Sequence, residues 1–224
     1  LGNNSYLKRT FAIGLVLVLL SPAALWVDFP LAMWARENAY PKLLVKLSNL
    51  SEFFAHGFGV LVIASAIALL DTKEWRRGLT VLAGAFSAGL AADLIKLVIF
   101  RTRPRDFGFT SGILTTFQEW LPVLTRHPEH LSSSFPSSHA ATAAGLAFVL
   151  ILLYPRGRPI FCLLLILACA QRLLASAHFL SDVLFGAGFG WCVAYLVVVK
   201  IVPQSWWREN DCQGEHPTGG RGGS

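Results

Sequence analysis

Three short stretches of this 224-residue chain carry most of the side chains able to act on a phosphate group. The first is Lys96-Leu-Val-Ile-Phe-Arg-Thr-Arg103-Pro104, a lysine late in an apolar run followed seven residues later by arginine and proline. An ionisable group at that depth is costly and marks function by default, although a lysine snorkelling from a helix end has the same pattern. Pro104 should end the helix and restrain the backbone beside Arg103. The second is Phe135-Pro136-Ser137-Ser138-His139, which opens another apolar run. Proline and serines start a helix there, and first-turn N–H groups form an anion site. Capping accounts for the serines but not for the histidine behind them. The third runs from Gln171-Arg172 to His178 and Asp182. Four residues apart on a helix, His178 and Asp182 would share a face, so that the carboxylate accepts from one ring nitrogen and leaves the other as a base or nucleophile. Arg172 presents a planar cation suited to phosphate, with an Arg172–Asp182 salt bridge as the competing structural reading.

Together these stretches hold three cations, hydroxyl and backbone donors, two histidines and a carboxylate. Transfer of a phosphoryl group through a phosphohistidine needs this set: cations on the nonbridging oxygens, one histidine attacking in line, and the other protonating the departing alkoxide before activating water. The stretches contain no acidic cluster suited to magnesium, so the cations are expected to stand in for a metal, and no cofactor is expected.

The elements that must position these groups follow from composition. Apolar residues make up 54% of the chain and charged residues 14%, against about 45–50% and about 25% in soluble domains. With a mean hydropathy of +0.54, this excludes an ordinary soluble domain and a disordered chain. The net charge of +6, set among apolar runs, favours a membrane surface or an anionic lipid over nucleic acid as the partner. Six apolar stretches are long enough, or nearly so, to cross hydrocarbon as helices: Phe11–Val27, Phe53–Leu70, Leu79–Phe100, Ser137–Leu153, Ile160–Ala175 and Val183–Val202. The expected fold is therefore an all-α polytopic membrane protein with six transmembrane helices. Lys8 and Arg9 before the first stretch also fit a secretory signal, but its continuation past Pro22 favours a retained helix. Lys73, Arg76, Arg77, Arg156 and Arg158 place two short loops in the cytoplasm. All three chemical stretches then fall at the extracytoplasmic ends of spans, although Arg36, Lys42, Lys46 and Arg126 weaken the charge bias.

In order and spacing the three stretches resemble the signatures of the type 2 phosphatidic acid phosphatase superfamily. Those signatures run Lys, six residues, Arg-Pro; Pro-Ser-Gly-His; and Ser-Arg, five residues, His, three residues, Asp. The resemblance covers roughly residues 93 to 190 and points to the integral membrane lipid phosphatase branch, with six helices and an extracytoplasmic site. It implies that Lys96, Arg103 and Arg172 bind phosphate, that Ser137 and the N–H of Ser138 add donors, and that His139 is the general acid. It further implies that His178 is the nucleophile and Asp182 its orienting partner. Ser138 stands where the signature has glycine, which would narrow the pocket or add a donor, and Gln171 stands where it has serine. Asp93, one turn before Lys96, is a candidate to hold its ammonium.

The resemblance implies hydrolysis of a phosphomonoester or diphosphate headgroup on phosphatidic acid, phosphatidylglycerol phosphate, undecaprenyl diphosphate or lipid A, at the outer face of a bacterial inner membrane. Lipid-to-lipid phosphotransfer would use the same intermediate. A vanadium haloperoxidase and a noncatalytic lipid-binding protein are the remaining readings, the former disfavoured by the apolar spans. Arg101 and Arg105 read as solvated interfacial positions, and His56, His127, His130, Glu119 and Glu129 fit no pattern. Leu31–Leu50 reads as an interfacial helix or a loop. The aromatic 106–134 loop would cap the site, dip into the membrane or pack on the bundle. Cys162, Cys169, Cys192 and Cys212 read as packing residues, and Trp206 and Trp207 as an interfacial anchor. Residues 1–210 are expected to form one domain. Residues 211–224 should be a flexible tail, with both ends trimmed or added in cloning.

Overall fold

Runs of Leu, Val, Ala and Phe form helices, the first continuing through Pro22 and Pro30, because a helix satisfies its own backbone in an apolar setting. The computed structural model describes residues 4–38, 40–71, 74–125 and 132–206. Its helices are α1 (Asn4–Glu37), α2 (Lys42–Ala55), α3 (Gly57–Leu70), α4 (Arg76–Lys96), the single turn α5 (Pro122–Thr125), α6 (Ser138–Leu153), α7 (Arg158–Leu174) and α8 (Leu180–Tyr195). A π-helical stretch, Leu196–Ile201, extends α8. Lys73, Arg126, His127, Glu129, His130, Trp207, Arg208 and the tail at 211–224 lie outside the described residues.

The bundle is built around α6, in which every residue from Ala140 to Leu152 is buried. α4, α7 and α8 pack around it, α2 touches it, and α1 lies along α8. Small residues set the spacing. A Cβ on Gly186 would meet the Ser137 carbonyl oxygen at 2.4 Å, and one on Gly190 would meet that of Ala141 at 2.4 Å. α8 therefore runs backbone against backbone along the opening turn of α6, the contact by which helices in lipid gain dispersion energy. Leu19, Trp26, Leu70, Leu90 and Ile166, by contrast, are more than 60% exposed. An apolar exterior around a core of small residues suits hydrocarbon rather than water, and the chain is an integral membrane protein.

Four segments among the described residues are long and apolar enough to cross a membrane: 7–37, 76–96, 155–174 and 180–201. α2 and α3 pass the same test only together, across a 69° bend. The expected continuous span Phe53–Leu70 is thus broken at its start, where His56 adopts an extended conformation and its side chain caps α3 by accepting from the Phe58 N–H. Only glycine fits at position 59, since a Cβ there would lie 1.8 Å from the Phe53 carbonyl oxygen. α6, at 16 residues, spans about 24 Å at ~1.5 Å per residue, less than the ~30 Å hydrocarbon core.

Two further expectations are corrected. The third run does not stay helical to Phe100: α4 stops at Lys96, and Ile99–Arg101 forms a strand, β1, antiparallel to β2 (Phe117–Trp120), with Phe100 opposite Glu119. β-branched and aromatic residues favour that extended pairing. The Leu31–Leu50 segment is no single interfacial helix either. Its first part completes α1, and its second part is the amphipathic α2 packed on α7.

Overpacking a tight helix contact costs about 1–3 kcal/mol. Gly190→Leu should therefore lower the thermal midpoint of detergent-solubilised protein by several degrees. Gly112→Ala, where an added methyl meets nothing within 4 Å, should leave it in place. Equal melting of the two variants would contradict the α6–α8 contact.

Candidate active site

An arginine with no solvent access must have its donors satisfied by acceptors and its charge balanced. Arg101, at the end of β1, is such a residue, fully buried together with Asp28 of α1 and Asp182 of α8. Its Nη2 donates to Asp28 Oδ2 at 2.8 Å, its Nε to Thr116 Oγ1 at 3.0 Å, and its Nη1 to Ser181 Oγ at 2.8 Å and to Asp182 Oδ1. The guanidinium carbon also lies over the rings of Phe117 and Phe179, 4.5 and 4.2 Å from their centroids, a cation–π contact with each. Arg101 is therefore not the solvated position its sequence context suggests. Arg105 is half exposed and pairs with Asp106 at 3.5 Å.

From this cluster a short relay leads to His178. Asp182 Oδ2 accepts from Ser134 Oγ at 2.6 Å and from the Phe179 N–H at 2.9 Å. The Ser134 N–H donates to the Arg101 carbonyl at 2.7 Å. The Ser134 carbonyl oxygen in turn lies 2.6 Å from His178 Nδ1. A carbonyl only accepts, so Nδ1 carries the proton and the neutral ring keeps its lone pair on Nε2. This corrects the expected direct bond from His178 to Asp182. α8 starts only at Leu180, so His178 sits in the extended approach to the helix rather than on a shared helical face. The carboxylate reaches the imidazole through Ser134. Burial, reinforced by Arg103, Lys96 and Arg172, pushes the His178 pKa well below the ordinary imidazole value, against the opposing effect of the Ser134 carbonyl.

The three predicted stretches converge around this ring. Lys96 ends α4 and is buried, with its Nζ 3.0 Å from Asp93 Oδ1. Arg103 follows β1, and its Nε is buried with no hydrogen-bond partner among the described residues. Ser137 caps α6, its Oγ accepting from the Ala140 N–H at 3.3 Å, so the N–H groups of Ser138 and His139 head the helix as anion donors. Ser138 Oγ donates to Asp93 Oδ1. The hydroxyl that replaces a glycine hydrogen thus ties α6 to α4 beside Lys96, and Asp93 engages the lysine as expected.

Arg172, near the end of α7, does not meet Asp182. Its Nη2 donates to Glu52 Oε1 of α2 at 2.6 Å and its Nε to Gln171 Oε1 at 2.5 Å. Gln171 Nε2 reaches Glu52 Oε2 at 3.4 Å and Asn49 Oδ1 at 3.5 Å. His139 faces this side of the site, its ring centroid 6.3 Å from that of His56. A groove of about 730 Å³ opens beside His56, Ser138, His139 and Asp93, between the α2–α3 junction, α4 and the start of α6, and passes Phe86 and Leu90. The aromatic loop packs on the bundle in part: Phe107 and Phe109 meet Phe29 of α1, while Trp120 is 69% exposed.

A family model of the PAP2 superfamily matches residues 77–207, more than half of the chain and all three stretches. The chain belongs to that superfamily. Decaprenylphosphoryl-5-phosphoribose phosphatase of Mycolicibacterium smegmatis is 32% identical over 69% of this chain and 77% of its own length. Lipid A 1-phosphatase of Rhizobium etli is 30% identical over 53% and 52%. In fold, the chain resembles the crystal structure of the transmembrane PAP2-type phosphatidylglycerolphosphate phosphatase from Bacillus subtilis, with a TM-score of 0.56 at 21% identity over 85% of this chain and 93% of that one.

Beside the PAP2 motif residues stand four that the sequence reading does not place at the site: Asp28, Glu52 and Ser134, which it passes over, and Arg101, which it reads as solvated. Asp28 and Glu52 lie before the matched residues. Asp28 carried a usable signal, a carboxylate closing an apolar run, which calls for a buried partner. Arg101 shared that signal from the other side. Ser134 had none, because its carbonyl does the work.

Removing Arg101 would leave two carboxylates buried without a cation, at a cost of about 3–5 kcal/mol. Arg101→Met should thus lower the thermal midpoint sharply, while Arg103→Met leaves it near the parent; the reverse order would contradict the cluster. The depressed His178 pKa has a definite sign: the ring stays neutral as pH falls past ~6.5, the ordinary imidazole value. In 15N spectra of histidine-labelled protein at pH 6, assigned by difference from His178→Ala, His178 should show a protonated Nδ1 and an unprotonated Nε2. An imidazolium signal there would overturn the assignment.

Proposed function

We propose that this PAP2 protein is a lipid phosphatase that removes a phosphate from a membrane-anchored substrate through a phosphohistidine on His178, without a metal ion. The observation that carries the reading is the imidazole itself. Its Nδ1–H is held by the Ser134 carbonyl, so the Nε2 lone pair belongs to the tautomer that attacks phosphorus. Lys96, Arg103 and Arg172, with the Ser137 hydroxyl and the N–H groups of Ser138 and His139, neutralise the three nonbridging oxygens.

In the first step the Nε2–P bond forms as the bond from phosphorus to the substrate oxygen breaks, and His139 donates a proton to the departing alkoxide. In the second, His139 takes a proton from water, whose oxygen attacks phosphorus, and inorganic phosphate leaves with the His178 ring restored. Asp182 and Asp93 act on these groups from behind, Asp182 through Ser134 and Asp93 on Lys96. Names of relatives on two sides of the family support a lipid phosphate as substrate. The mainly apolar groove along α4 has the character needed for the acyl or polyprenyl chain. We read the bundle as six membrane crossings, with α2–α3 as one bent crossing and α6 as a short one. The site faces the extracytoplasmic side of a bacterial inner membrane, in keeping with the basic loop around Arg76 and Arg77 on the other side.

The test is phosphate release in detergent with EDTA present. Parent protein should release phosphate from a lipid phosphomonoester, and His178→Ala should lose about 10⁴-fold or more. Acid-free quenching with 32P-labelled lipid should trap label on the parent protein, alkali-stable and acid-labile as a phosphoramidate is, and none on His178→Ala. Release that vanishes with EDTA, or equal label on parent and His178→Ala, would refute the mechanism.

A further inference from the structure

The phosphatase reading leaves unexplained a set of polar groups at the end of α2 that do not themselves touch phosphate. Asn49 and Glu52, three residues apart, share one side of α2, and His56 follows in the extended break between α2 and α3. This side meets α7 through Gln171, whose Nε2 approaches both Asn49 Oδ1 and Glu52 Oε2. His56 meets α6, its ring beside that of His139. Glu52 and Asn49 are partly or wholly exposed rather than sealed in packing, and α2 is otherwise rich in Leu and Phe.

Resting on the proposed function, we infer that Asn49, Glu52, His56 and Gln171 form a headgroup subsite for a polyhydroxylated, sugar-type leaving group. In-line displacement puts the leaving group opposite the attacking nitrogen. His178 attacks from the Ser134 side, and His139, which serves the leaving oxygen, faces this set. The group released from phosphate is therefore delivered against these four side chains. Their hydrogen-bonding character selects what it can be. Glu52 offers only acceptors, Asn49 and Gln171 offer both, and His56 uses Nδ1 to cap α3, which leaves Nε2–H as a donor. Acceptors need O–H partners. A sugar ring supplies several, each able to donate and accept. Arg172 and Gln171 take one position on each Glu52 oxygen and Gln171 one on Asn49 Oδ1, so it is the remaining acceptor positions of these partly or wholly exposed groups that face the leaving group. The diacylglycerol released from phosphatidic acid brings one hydroxyl beside ester oxygens that only accept, and a site built to bond several hydroxyls discriminates against it. Gln171 is central to the arrangement. Its Oε1 holds Arg172 Nε while its Nε2 faces Glu52, a connection that the shorter serine of the family signature could not make. The phosphate cation and the headgroup side are thereby joined in one residue.

The experiment compares kcat/KM for decaprenylphosphoryl-5-phosphoribose and for dioleoyl phosphatidic acid in parent, Asn49→Ala and Glu52→Gln, with folding judged by thermal midpoint. The parent should favour the sugar phosphate lipid, and the ratio of the two kcat/KM values should fall about tenfold in each variant, as expected for losing one hydrogen bond to a substrate hydroxyl. A parent that prefers phosphatidic acid would overturn the inference while leaving the phosphatase reading intact. So would variants that lose both activities in equal proportion, because Glu52 would then serve only to hold Arg172. Turnover of neither lipid by folded parent protein would overturn the phosphatase reading, and this inference with it.

Discussion

Everything near the candidate site depends on one fully buried cation. Arg101 is bonded to carboxylates from α1 and α8 and to a hydroxyl from the loop before β2, and lies over the rings of Phe117 and Phe179. A charge in so apolar a setting tolerates few arrangements, since each lost partner leaves a desolvated group behind. That intolerance fixes the first helix, the hairpin and the start of the last helix relative to one another. The main chain of Ser134, bonded on one side to Arg101 and on the other to His178, then transmits that fixed position to the imidazole.

This arrangement separates two tasks often given to one carboxylate. Asp182 neutralises Arg101 and orients Ser134, while a neutral carbonyl touches the ring. A carboxylate directly on Nδ1 would stabilise the imidazolium and raise its pKa; a carbonyl sets the same tautomer with a weaker pull. Burial among three cations then keeps the ring unprotonated.

How much of this was legible in the sequence varies with the physics of each part. Hydrophobic runs bounded by breakers announce helices, because the rule linking them is local, and Lys96, Arg103, the Pro-Ser-Ser-His turn and the Arg172–Asp182 stretch announced themselves by being polar where polarity is expensive. Ser138 and Gln171 were visible as departures and Asp93 as a neighbour for Lys96, but the pairing of Ser138 with Asp93 and of Gln171 with Glu52 and Asn49 was not, since a side chain's partner across a bundle leaves no periodicity. The same limit explains Arg101: its neighbours in sequence are arginines near an interface, and only the approach of Asp28 from 73 residues away makes it internal. The break at His56 escaped because both flanks are apolar, and the short strand after Lys96 because three residues are too few to show alternation.

The burial of α6 on all sides has a consequence for how the protein meets membranes of different thickness. Helices that face lipid adjust to a thicker or thinner bilayer by tilting or by moving their flanking residues. From Ala140 to Leu152, α6 has no lipid-facing surface, and its depth is set by its glycine contacts with α8. The turn that carries Ser137, Ser138 and His139 is thus referenced to protein rather than to lipid. The outer helices can follow the bilayer while the Pro-Ser-Ser-His end of α6 keeps its height relative to His178, so the spacing of these groups does not follow the thickness of the surrounding membrane.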